Sequence, residues 1–248
     1  MKTPCFSTQS DTDAYYGRLK QAREESRRAI ESAKHNETLE AAAGSAVNEA
    51  LREAEFGNFK EARGVAASAI QLSQGGRYVR GAAALSLAIA GNVAQAQEIA
   101  DALAKEFPRD TFVNVYWLPA VRALIEINRH NPAKAVEMLR AIQGYDQGAP
   151  YPSIAPMIIF YLRGYAYLAA GGNKEAAAEF QAILDRPGIV LNSPHSSLAH
   201  LGLGRALAAS GEKEKARTAY QDFLALWKDA DPDIPILKQA KAEYAKLQ

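Results

Sequence analysis

Small and large apolar residues recur along this chain at helical intervals. Near the C-terminus Ile234, Leu237, Ala240, Tyr244 and Leu247 follow one another at steps of three, three, four and three. That makes one apolar stripe of a helix, with Lys238, Gln239, Lys241 and Lys246 elsewhere on its surface. From about Asp13, Tyr15, Leu19, Ala22, Ala29 and Ile30 form a similar stripe. Between Pro4 and Pro108 no proline interrupts the chain, and Ala, Leu, Glu, Gln, Lys and Arg fill it. These residues, proline apart, favour helix because they lose little side-chain freedom there. The alternation that marks a strand is missing apart from the short Gly188-Ile189-Val190-Leu191. The pattern predicts an all-α chain.

Small polar clusters divide the helices: Phe56-Gly57-Asn58, Ala90-Gly91-Asn92, His130-Asn131-Pro132, Gly171-Gly172-Asn173 and Ser210-Gly211-Glu212. Gly and Asn tolerate the left-handed conformation that closes a helix. Two longer breaks, Gly144 to Pro156 and Arg186 to Pro194, are rich in Pro and Gly and predict extended connectors, read either as ordered loops between repeats or as flexible linkers. After each short break an alanine recurs, at 62, 96, 135, 176 and 216, in steps of 34, 39, 41 and 40 residues. Ala22 stands one further step of 40 before the first. A period in this range is that of a helical solenoid, in which one helix pair cannot bury its own apolar face and stability comes from stacking.

Leu203-Gly204, Leu207, Gly211, Ala216, Tyr220 and Phe223 resemble the tetratricopeptide repeat, as do Gly164, Tyr167, Gly171, Ala176, Phe180 and Ile183, and Gly91, Ala96, Ala100, Leu103 and Pro108. Other copies depart from the pattern: Glu126 stands for an apolar first-helix residue, and Ala66 and Ala100 for a second-helix aromatic. The resemblance implies a right-handed superhelical solenoid of stacked antiparallel helix pairs, used as a protein-binding scaffold without catalysis. Three regions follow: residues 1–12 as a disordered or extraneous N-terminus, 13–228 as one half repeat plus five repeats, and 229–248 as a C-terminal capping helix started by Asp231 or Asp233. The first stripe lacks a partner helix, so an open flank there is expected to recruit a partner or a second copy, a possible homodimer. The terminal helix has an alternative reading as an amphipathic segment that detaches to bind.

By the same resemblance, first-helix positions facing the concave side pick out a partner-binding groove of Tyr78, Leu85, Trp117, Leu124, Ile127, Tyr161, Tyr165, Leu168 and Arg205. Arg205 is its single cation, so the site reads as apolar and aromatic, with the side chains packing the superhelix interior as the alternative. Residues Tyr220 to Lys241, with Gly188 to Asn192, also resemble the repeat-bearing C-terminal region of bacterial eukaryotic-like serine/threonine protein kinases. That resemblance implies a second function, a self-associating regulatory or sensor region of a kinase whose catalytic domain is not in this chain. Kinase motifs themselves are missing from the sequence.

Charge and chemistry narrow the picture further. With 29 Lys and Arg against 28 Asp and Glu, the net charge of +1 does not favour nucleic acid or an anionic membrane as partner. Cys5 alone forms no internal disulfide. No apolar run is long enough to span a membrane, and the start lacks a signal-peptide layout, so the chain reads as soluble, cytoplasmic by default, or extracytoplasmic if tethered to a membrane kinase. The four histidines, His35, His130, His195 and His200, share no ligand spacing. Asp229, Asp231 and Asp233 lack the Gly and Glu of a calcium loop. Gly202-Leu203-Gly204 has neither the third glycine nor the preceding strand of a phosphate loop, and Asn36-Glu37-Thr38 is a sequon common by chance. No catalytic residue, cofactor or metal is assigned, and a protein or peptide is the expected partner.

Overall fold

A computed structural model describes residues 3–73, 76–145 and 157–248. Successive helices pack in pairs: α1 (Thr3–Tyr15) with α2 (Leu19–His35), α3 (Leu39–Glu55) with α4 (Phe59–Leu72), and α5 (Arg77–Ile89) with α6 (Val93–Glu106). A π-helical turn, Val113–Trp117, leads into α7 (Leu118–Asn128), which pairs with α8 (Pro132–Arg140), and α9 (Ile158–Ala169) pairs with α10 (Asn173–Leu184). A one-turn helix α11 (Pro187–Val190) precedes the pair α12 (Pro194–Ala209) and α13 (Lys213–Leu226), and α14 (Pro235–Ala245) ends the chain. No strand occurs among the described residues, and the architecture is the all-α repeat solenoid expected from the periodicity. The anchor alanines Ala22, Ala62, Ala96, Ala135, Ala176 and Ala216 are all fully buried, where a small side chain lets two helices approach closely. Glycines of the first helices serve the same end. A Cβ at Gly202 would stand 2.5 Å from the Phe180 ring, and one at Gly81 2.8 Å from Trp117.

Three local expectations need correction. Residues expected to be disordered, 1–12, belong from Thr3 onward to α1, which supplies the missing first helix, so the described residues hold six pairs rather than five and a half. Helical periodicity of apolar residues is silent here because α1 docks through polar groups: buried Ser10 donates to the Ala22 carbonyl at 2.8 Å and meets Ser26 Oγ at 2.8 Å. The flank of α2 that the sequence leaves open is thereby covered, and Leu19, Ala22 and Ala29 are buried. Arg186 to Pro194 is not extended throughout but turns once as α11. Most of the other connector, residues 146–156, lies outside the described residues.

The solenoid does not end where its repeats end. Trp227 donates its Nε1–H to the Tyr15 carbonyl at 2.9 Å, and the Asp231 amide donates to the Gly17 carbonyl at 3.0 Å. Asp231 or Asp233 was expected to cap the last helix, but its N-cap is Ile234 with no side-chain cap; the Asp231 carboxylate instead accepts the Lys20 amide at 2.8 Å, in the first turn of α2, where negative charge complements the helix dipole. From α14 the Ile236 amide donates to the Phe56 carbonyl at 3.2 Å. One apolar cluster accordingly holds Ala14, Leu19 and Phe56 from the first repeats together with Leu198, Phe223, Trp227 and Leu237 from the last. The array closes on itself, and α14 bridges the two ends.

Leu191, between α11 and α12, takes φ 51° and ψ −145°, a region suited to glycine, while its side chain is 67% exposed. Such a backbone conformation costs about 1–3 kcal/mol. Leu191→Gly is expected to raise unfolding free energy by about 1 kcal/mol, net of the entropy that glycine adds to the unfolded chain. Urea titration checks this; a loss of stability would mean the loop is held by the leucine side chain instead.

Candidate functional site

Closure turns the inner groove into a cavity of about 490 Å³. Its wall comes from the C-terminal ends of first helices: Ala54 and Glu55 of α3, Ala88 and Ile89 of α5, Leu124, Ile127 and Asn128 of α7. Tyr161, Leu162 and Tyr165 of α9 and Arg205 of α12 continue the wall, and Pro235, Ile236 and Gln239 of α14 complete it. Two aromatics on this wall keep large exposed surfaces, Phe59 at 45% and Tyr165 at 47%. The volume and the mainly apolar lining with a few polar groups are those of ligand sites in general.

Five of the nine expected groove residues line this cavity, namely Leu124, Ile127, Tyr161, Tyr165 and Arg205. The other four do not. Trp117 is fully buried because Gly81 opens a slot on α5 that the indole fills, and Leu85 is fully buried in the same cluster. Tyr78 is half-buried, packed against Phe112 at 6.0 Å and under the Arg77 guanidinium at 4.5 Å. Leu168 is half-buried in the cluster of α9 and α10. Phe59, Asn128, Ile236 and Gln239 were missed: the signal was an aromatic in a second-helix first turn and an apolar stripe in α14, but neither names the cavity.

Glu55 and Arg205 of the wall have partners, and His130, also on the wall, is exposed. Arg205 donates from Nε and Nη2 to Glu243 at 2.9 and 3.2 Å, and the Tyr220 hydroxyl donates to the same carboxylate at 2.9 Å. Glu55 and His195, 140 residues apart, meet at 2.6 Å between Oε1 and Nε2, both buried. The other imidazole nitrogen lies 3.1 Å from Ser193 Oγ, which can give or take that hydrogen bond, so neutral and charged imidazole are both accommodated. Ser193, His195 and Glu55 thus line up as a hydroxyl, an imidazole and a carboxylate. All three are shielded from solvent, and Ser193 Oγ accepts the His195 amide as the N-cap of α12, which makes the arrangement a joint between helices. The edge of the Tyr161 ring packs on His195 at 5.2 Å, tying this joint to the cavity wall. Burial, reinforced by the Glu55 charge, holds the Tyr161 phenol above its ordinary pKa and keeps it a hydrogen-bond donor.

A second concavity, about 680 Å³, lies beside the α1–α2 turn and is lined by Tyr16, Arg18, His200, Asp222 and Lys228 among others. Burial lowers the His200 pKa from the usual 6.5, against the pull of Asp222, and its Nδ1 is buried without a hydrogen bond. A base with a depressed folded pKa contributes stability above its unfolded pKa and loses it as pH falls through the folded value. His200→Gln is therefore expected to flatten the decline of Tm between pH 7 and 5. An unchanged slope in calorimetry would clear His200 of any part in it.

Among the described residues no helix is long and apolar enough to cross a membrane, and no His, Cys, Asp and Glu group could hold a metal. No curated protein matches the chain. Residues 161–233, which carry Tyr161, Tyr165, Arg205 and the closing contacts of Trp227 and Asp231, match the family model of the tetratricopeptide repeat.

Proposed function

We propose that this chain is a non-catalytic protein-interaction module whose inner cavity receives a segment of a partner protein. The repeat family to which residues 161–233 match generally mediates protein–protein interaction. The observation that carries the reading is the cavity itself, with Tyr165 and Phe59 exposed on its wall. A tyrosine exposed in a concave site is among the residues that most often dominate binding energy once a partner desolvates it. A kinase-borne setting rests on the resemblance of residues 220–241, which here close the array. Peptides selected from a random displayed library on the wild-type protein should bind Tyr165→Ala at least about tenfold more weakly, a loss of about 1.4 kcal/mol. Tyr165 is exposed enough for the variant to fold normally. Selected peptides that bind the variant equally well would remove the cavity from the reading.

A further inference from the structure

We propose that the occupant of the cavity is an uncharged segment of a partner polypeptide, one apolar side chain with its own peptide group, inserted end-on. The inference rests on the cavity being the binding site, and adds the chemistry of what fits it.

Size gives the first restriction. A helix with side chains is about 10–12 Å across and rises about 5.4 Å per turn, so one turn occupies roughly 500 Å³. The cavity, at about 490 Å³, is of the size that receives a small-molecule-sized group. One apolar side chain with its peptide group is matched to that size, whereas a helix of several turns is not.

Charge gives the second. Arg205 is held bidentately by Glu243, and Glu55 by His195. A carboxylate entering the cavity finds a guanidinium already neutralised, and an ammonium finds a carboxylate already engaged. Either would be buried unpaired or would break an existing pair, both strongly unfavourable.

Hydrogen bonding gives the third. Tyr161, on the wall, has a hydroxyl with no hydrogen-bond partner among the described residues. Asn128 donates both amide hydrogens into the fold, to the Ala88 and Leu124 carbonyls at 2.9 and 2.8 Å, which leaves Oδ1 as an acceptor. A free donor and a free acceptor on adjoining elements match the C=O and N–H of a peptide unit.

The test compares three small probes in a chemical-shift titration of ring-labelled tyrosine at pH 6: N-acetyl-phenylalaninamide, anionic N-acetyl-phenylalanine and cationic phenylalaninamide. The neutral probe should shift Tyr161 and Tyr165 and bind at least about tenfold more tightly than either charged one. Tyr161→Phe, which keeps the ring, should weaken the neutral probe about fivefold, the worth of one ordinary hydrogen bond. Tyr165→Ala, on the exposed part of the wall, should weaken it as well without touching the core. A charged probe that binds at these tyrosines as tightly as the neutral one overturns the proposed chemistry and leaves the cavity as the site. An unchanged affinity in Tyr161→Phe overturns the role of its hydroxyl. If no probe shifts either tyrosine up to its solubility limit, the cavity fails as a binding site and the proposal falls with it.

Discussion

Trp227→Ala is expected to lower the unfolding free energy by about 3–5 kcal/mol, the usual cost of deleting a buried indole. Trp227 is 2% exposed, meets the Phe56 ring edge-to-face at 5.0 Å and lies at a tilt to the Phe223 ring at 4.8 Å. It therefore joins the second repeat to the last as well as filling its own. Its Nε1–H also satisfies the Tyr15 carbonyl at the end of α1, so the substitution leaves a helix terminus short of a partner. Gly17→Ala probes the same seam from the opposite side. A methyl there would stand 2.5 Å from Ala230 and 2.8 Å from the Trp227 ring, at a φ of 71° that alanine resists. Urea unfolding measures both variants, and small-angle scattering should show an enlarged particle under native conditions. A loss below about 1 kcal/mol for Trp227→Ala would mean that the two ends meet without depending on one another.

The repeat period, the anchor alanines and the turn glycines were legible because they are local: each follows from spacing within one helix pair. The stripe of α14 was legible for the same reason, but its destination was not. Nothing within residues 229–248 says that Asp231 will bind the first turn of α2 or that Ile236 will reach Phe56. α1 escaped because its docking face is Ser10, Asp13 and Ala14, and hydroxyl-to-carbonyl bonds leave no apolar period to read. The groove positions fall only in part on the cavity wall for a related reason. Spacing from the anchor selects residues on the inner side of first helices along their whole length. The cavity wall takes in the C-terminal ends of α3, α5 and α7 but the first two turns of α9, so Leu124, Ile127, Tyr161, Tyr165 and Arg205 line it while Trp117 and Leu85 are packed into the core.

The buried joint between Glu55 and His195 carries the second large expected effect. His195→Ala should cost about 3–5 kcal/mol, because it leaves a carboxylate buried without the group that holds it. Two further charges sit nearby: Arg52, 2% exposed, pairs with Asp11 at 3.1 Å, and its Nε has no partner. The Asp11 carboxyl is pushed above its usual pKa by desolvation, with Arg52 and His195 pulling it down and Glu55 adding to the rise. A group with a raised folded pKa contributes most below its unfolded pKa and loses that contribution as pH rises through the folded value. Asp11→Asn should therefore flatten the decline of stability as pH rises above the ordinary carboxylate range, which urea titrations at pH 4 and pH 7 would show. The double variant Glu55→Met with His195→Leu should recover most of the loss in His195→Ala, since a buried pair replaced by apolar groups of similar volume is often neutral. Recovery would assign the joint to specificity of closure, because the pair's attraction then does no more than offset its own desolvation. Tyr161 leans on the His195 ring, so even a recovered double variant should bind the neutral phenylalanine probe differently from the wild type. If His195→Ala loses less than about 1 kcal/mol, water has replaced the imidazole and the joint does not hold the cavity wall.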